Sequence, residues 1–153
     1  MQQPISVDFH VIEPASSQQA HRYACQLIEK AYQAGQQPIY VHTDTRADAE
    51  RFDTLLWTYR DDSFLPHELH SATQSQAARI QIGYADNMPN YTPENSCILI
   101  NLSKDLPSNH QTFAAIIEIV FSDPAVQQLA RERFKQYRQY GYSLNTHKLK
   151  AYD

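Results

Sequence analysis

Two spacings of apolar residues alternate along the chain, one near 2 and one near 3.6, and their succession outlines the elements. Residues 5–12 (ISVDFHVI) alternate loosely and run into Pro14, which predicts a first strand. Ser16 or Ser17 then caps a helix to about residue 34, with Ala20, Tyr23, Ala24, Leu27, Ile28 and Ala31 on its inner stripe and Gly35 as its stop. Residues 38–42 (PIYVH) make a short apolar strand, and a second helix runs from about 46 to 59. Residues 61–71 (DDSFLPHELHS) read as a loop that carries large apolar side chains. Segments 79–84 and 97–102 predict two more strands, the second apolar enough to be covered on both faces, with a Pro- and Asn-containing loop between them. In 113–121 (FAAIIEIVF) the β-branched run favours a strand. Asp123 before Pro124 reads as an N-cap with proline at the first helical position, Gly141 as the stop, and Val126, Leu129, Ala130, Phe134 and Tyr137 as the buried stripe between them. The order strand, helix, strand, helix argues for a single α/β domain with a parallel sheet. The domain is expected over residues 1–145, and residues 146–153 read as a polar tail.

A chain of 153 residues with 42% hydrophobic and 20% charged residues has ordinary globular composition and enough length for one sizeable core. No apolar run approaches the ~20 residues of a membrane span. The first residues lack the charged and apolar regions of a signal peptide, so a cytoplasmic location without membrane contact is expected. Cys25 and Cys97 are too few and too scattered for a disulfide framework or a zinc site and read as core thiols.

Charge changes the picture at the last helix. Residues 1–120 hold 7 Lys+Arg against 14 Asp+Glu, whereas residues 121–153 hold 6 against 3. Arg131, Lys135 and Arg138 stand at i, i+4 and i+7 on a stripe beside the apolar one. One reading is a solvated face whose cations are favoured by the helix dipole. The other is a site for a small acidic partner, because a protein that coats duplex DNA is expected to be basic throughout.

Candidate chemistry is thin elsewhere. The turn after the first strand, Glu13-Pro14-Ala15-Ser16-Ser17, has no glycine and no lysine to cradle a phosphate, which argues against a nucleotide-dependent enzyme and leaves no cofactor to expect. His67 and His70 are three apart but lack a third metal ligand and read as solvated loop histidines. His42 with Asp44 lies where α/β enzymes place catalysis, yet Ser103 and Thr45 read as helix caps rather than nucleophiles, so no catalytic residue is assigned. Trp57 closes the second helix and Phe64 sits in the loop beyond it, flanked by Asp61 and Asp62: core residues on one reading, protein-binding anchors on the other. Tyr137, Tyr140 and Tyr142 beside arginines leave direct stacking of single-stranded DNA open as an alternative.

Two strings, LLWTYRDDSFLPH and QLARERFKQYRQYGYSLN, resemble the chi subunit family of bacterial DNA polymerase III, an accessory component of the clamp loader. The resemblance runs over nearly the whole chain. It implies a Rossmann-like three-layer domain, with a mostly parallel central sheet flanked by helices, and no active site or cofactor of its own inside a DNA-directed DNA polymerase holoenzyme at the nucleoid. It implies two partners. The psi subunit would be held by Trp57 and Phe64, and the acidic C-terminal tail of single-stranded DNA-binding protein by Val120, Arg131, Phe134, Lys135 and Arg138. DNA contact would be mainly indirect, and in some relatives a repair helicase competes at the psi surface. Phe134 departs from the pattern, since a tyrosine stands there in a relative; its ring can pack on an apolar tail residue but carries no hydroxyl.

Overall fold

The computed structural model describes residues 5–13, 16–35, 38–60, 65–70 and 79–150. Its elements follow in the order β1 (Ser6–Ile12), α1 (Ser17–Gln33), β2 (Ile39–Thr43), α2 (Arg46–Thr58), β3 (His67–Leu69), β4 (Ile80–Tyr84), β5 (Ile98–Asn101), β6 (Ala115–Val120), α3 (Pro124–Gln139) and β7 (Ser143–Leu149). Each helix starts where a side chain takes up free backbone N–H groups. Ser16 and Gln19 form a reciprocal capping box at α1. Thr45 accepts from the Asp48 N–H at α2, and Asp123 accepts from the N–H groups of Ala125 and Val126 at α3. α3 stops at Gly141, whose φ of 81° lies in the left-handed region that favours glycine.

The strands form one sheet in the order β3-β4-β2-β5-β6-β1-β7, and every neighbouring pair is parallel. Alternation of side chains across the strands then makes two apolar layers. One, with Ile28, Ile39, Val41, Phe52, Leu56 and Ile82, joins α1 and α2 to the sheet. The other, with Val7, Phe9, Leu99, Ile116, Val120 and Tyr137, joins α3 to the opposite face. The result is the parallel sheet that the element order implied, in the three-layer α/β arrangement that the resemblance implied. In the second layer Gly83 passes so close to Tyr40 that a Cβ there would stand 2.4 Å from the tyrosine oxygen and from the Asn87 carbonyl oxygen.

Two segments differ from the sequence reading. Residues 146–153 were expected to be a polar tail, but Ser143–Leu149 is a strand that pairs in register with all of β1. Its side chains are mostly exposed, so hydrogen bonding to β1 rather than apolar burial holds it, and its sequence carries no apolar alternation. The other is 61–71, read as a loop. Within it His67–Leu69 is a short edge strand beside β4, and His67 and His70 are buried rather than solvated.

Candidate partner-binding surfaces

α3 carries the cationic stripe. Its capped start and the glycine at its end set its length, its apolar stripe sets the face turned to the sheet, and Ala130, Arg133 and Tyr137 are the most deeply buried. Phe134 is half-buried, with its ring centroid 5.5 Å from that of Phe9 on β1. Arg131 and Arg138, three before and four after Phe134, share its stripe, and Lys135 lies beside it. All three cations are exposed, and none has an acidic partner among the described residues. Val120 belongs to the same apolar cluster as Phe134 but is only 3% exposed, so it forms the floor beneath the helix rather than open surface.

The second pair of expected residues is placed in part. Trp57, at the end of α2, is 41% exposed and packs tilted, at 38°, against the buried His67 ring with 4.0 Å between centroids. The His67 imidazole is held from both sides, by the Leu65 carbonyl at Nδ1 and by the Asp53 carbonyl and carboxylate at Nε2. A large apolar ring is thereby fixed against a rigid support. Phe64 lies outside the described residues.

Beneath α3 lies a polar network that the sequence reading did not assign. Glu118, fully buried on β6, accepts from Arg133 Nε at 3.0 Å, from Asn101 Nδ2 at 2.9 Å and from the Tyr137 hydroxyl at 2.5 Å. Arg133 also donates to the Lys104 carbonyl, and Asn101 Oδ1 accepts from the backbone and hydroxyl of Ser103. Ser103, expected to cap a helix, therefore shapes the turn after β5 instead. Burial pushes the Glu118 carboxyl up, and its three donors oppose that shift. Two signals pointed here: a lone acid within the apolar run of β6, and an arginine on the 130-133-137 stripe of α3.

The C-terminal edge of the sheet opens into a groove of about 1070 Å³, lined by residues that include His21, Asp44, Arg51, Lys104 and Arg133. Several of its polar groups are already engaged. Arg51 pairs with Asp48, and Asp44 accepts from the Lys104 backbone N–H at 2.9 Å. His42 is not among the lining residues; it is buried, and its Nδ1 is bonded to the Tyr40 hydroxyl at 2.7 Å. Burial lowers its pKa to about 4. Among the described residues no three His, Cys, Asp or Glu side chains gather as a metal would require. Cys25 and Cys97 are buried and unpaired, and burial pushes both thiols up to about 12. No described helix is long and apolar enough to cross a membrane.

The family model described as DNA polymerase III chi subunit, HolC, matches residues 5–145, a span that takes in the Trp57 support and the whole of α3. This chain belongs to the DNA polymerase III chi subunit family. The DNA polymerase III subunit chi of Pseudomonas aeruginosa is 35% identical over 143 residues, which cover 94% of this chain and 96% of that protein. Its counterpart from Haemophilus influenzae is 26% identical over 141 residues, covering 92% and 95%. The Escherichia coli subunit chi is 28% identical over 122 residues, or 80% of each chain. The chi family is a family of replication accessory subunits, and both the Trp57 support and α3 fall within the matched span.

Proposed function

We propose that this chi-family chain is a non-catalytic bridge in DNA replication, joining the psi subunit of the clamp loader to the acidic C-terminal tail of single-stranded DNA-binding protein. One observation carries the reading: Arg131, Lys135 and Arg138 stand exposed around the half-buried Phe134 on a chain that is otherwise acidic. A tail that ends in acids, Pro-Phe and a free carboxylate needs an apolar seat beside cations. Burial of its last ring contributes roughly 1.5–3 kcal/mol, and each charge-assisted hydrogen bond adds about 1.5–3 before ordering costs. Micromolar affinity follows, weak enough to exchange while several tails on one DNA-bound assembly supply avidity. Trp57, packed against His67, is the anchor assigned to psi.

The test is calorimetric titration with an acidic peptide ending in Asp-Ile-Pro-Phe. Arg131→Ala is expected to weaken binding about tenfold, the loss of one charge-assisted contact. Removal of the last phenylalanine is expected to abolish it. Binding indifferent to both changes would leave α3 a solvated face and refute the tail assignment. A second reading, direct capture of single-stranded DNA, has one observation behind it: Tyr140 is 52% exposed and stacks on Tyr142 at 5.6 Å. Oligonucleotide binding without a partner protein, with a steep salt dependence, would favour that reading.

A further inference from the structure

Among the described residues β7 ends the sheet with an open edge. The Ser143 N–H donates to the Ile5 carbonyl and the Leu149 carbonyl accepts from the Glu13 N–H, so the backbone of residues 143, 145, 147 and 149 is turned toward β1. In a parallel ladder alternate residues turn to opposite neighbours, which aims the N–H and C=O groups of Leu144, Thr146 and Lys148 away from the sheet. β7 is seven residues long and contains no proline or glycine, whereas β3, at the opposite edge, has three residues. Lysine on such an edge is also a guard against unwanted pairing. What favours an occupant is where the charge lies. The register puts Leu144, Thr146 and Lys148 on the face shared by Val7, Phe9 and Val11, the face on which α3 rests and on which Phe134 meets Phe9. On the other face Asp8 already holds His147, Nε2 to Oδ1 at 3.0 Å.

We propose that β7 is a strand-addition edge for an extended acidic peptide, which lies along it as an eighth strand with acids at alternate positions turned toward Lys148 and the α3 cations. The proposal rests on the tail-capture reading and extends it: α3 seats the end of the tail, and β7 pairs with the acidic segment before it. Main-chain hydrogen bonds supply affinity in such a mode, and the alternating side chains supply selectivity. A second copy of this chain fits the edge less well, because it would bring Lys148 and Lys150 of its own to a cationic strip.

Two peptides with the same Asp-Ile-Pro-Phe end decide the matter, one short and one extended upstream with acids at alternate positions, each titrated calorimetrically into the full chain. The longer peptide is expected to bind roughly tenfold tighter, the sum of several modest hydrogen bonds and screened charge contacts. Thr146→Pro removes an N–H that faces outward, so pairing with β1 is kept. In that variant the gain is expected to vanish while the short peptide binds as before, and circular dichroism checks the fold. Backbone N-methylation of the long peptide repeats the test on the unaltered protein: methylating one alternate set of residues should remove the gain, and methylating the other should leave it. A gain that survives both Thr146→Pro and either methylated set would overturn strand addition and leave only long-range attraction. In that case Arg131→Ala still weakens both peptides if tail capture holds, and weakens neither if tail capture itself is wrong. Concentration-dependent dimerisation that Thr146→Pro abolishes would give the edge to a second copy and likewise overturn the proposal.

Discussion

Arg133 and Arg131 are two residues apart on one helix and do opposite things. Arg131 is exposed, whereas Arg133 is 4% exposed and tied to Glu118. Removing one partner of a buried ion pair leaves the other charged and unsatisfied, so Glu118→Ala or Arg133→Ala is expected to cost about 3–5 kcal/mol in urea unfolding. The double change to leucine should recover part of that loss, with the Tyr137 hydroxyl and Asn101 amide still short of an acceptor. Helical spacing on an otherwise acidic chain made Arg131, Lys135 and Arg138 visible in the sequence. Arg133 stood on the buried stripe, but its partner was not legible, being an acid fifteen positions away on another element. Burial also makes a prediction at His42. Its pKa falls from 6.5 unfolded to about 4 folded, so the unfolded chain binds more protons between those values and stability must decline as pH drops through that window. The loss from this one group is at most on the order of 3 kcal/mol. His10, His21 and His110 are lowered by burial as well and add to it. Urea midpoints compared near neutral pH and near pH 5 should show the decline, and His42→Gln, which keeps a hydrogen-bonding group for Tyr40, should make it shallower.

At the scale of elements, α3 is the piece on which the proposed tail site depends, and Asp123 is its start. Asp123→Ala removes an acceptor that serves two backbone N–H groups. The expected cost is about 1 kcal/mol, or roughly 2–4 °C in melting temperature for a domain of this size, measurable by calorimetry. Caps and stops of this kind were legible in the sequence because they are local chemistry: Ser16, Thr45, Asp123, Gly35 and Gly141 all stand where the elements begin or end. The edge strands were not. His67–Leu69 is too short to show a period, and β7 exposes most of its side chains, so no apolar pattern marks either. Their places are set by free backbone groups on β4 and β1, a signal the side-chain pattern does not carry.

For the whole molecule, the central strands were legible because burial on both faces demands apolar runs such as IQIG and CILI, and the succession of strands and helices then left few arrangements open. Order within the sheet was not legible, since it depends on contacts between distant segments. The same holds for the candidate surfaces: the α3 cations and Trp57 could be named from the sequence, whereas the His67 support and the open edge of β7 could not. That sheet order has a consequence for how the chain is made. β1 is synthesised first, yet both its neighbours, β6 and β7, come from the far end of the described chain. A nascent chain can join β2, β4 and β5 early, but its first strand must wait unpaired until β6 emerges, and with Val7 and Phe9 uncovered until α3 follows. The sheet closes through its oldest strand, so a stall anywhere before β6 leaves that strand with both edges unpaired and its apolar face bare.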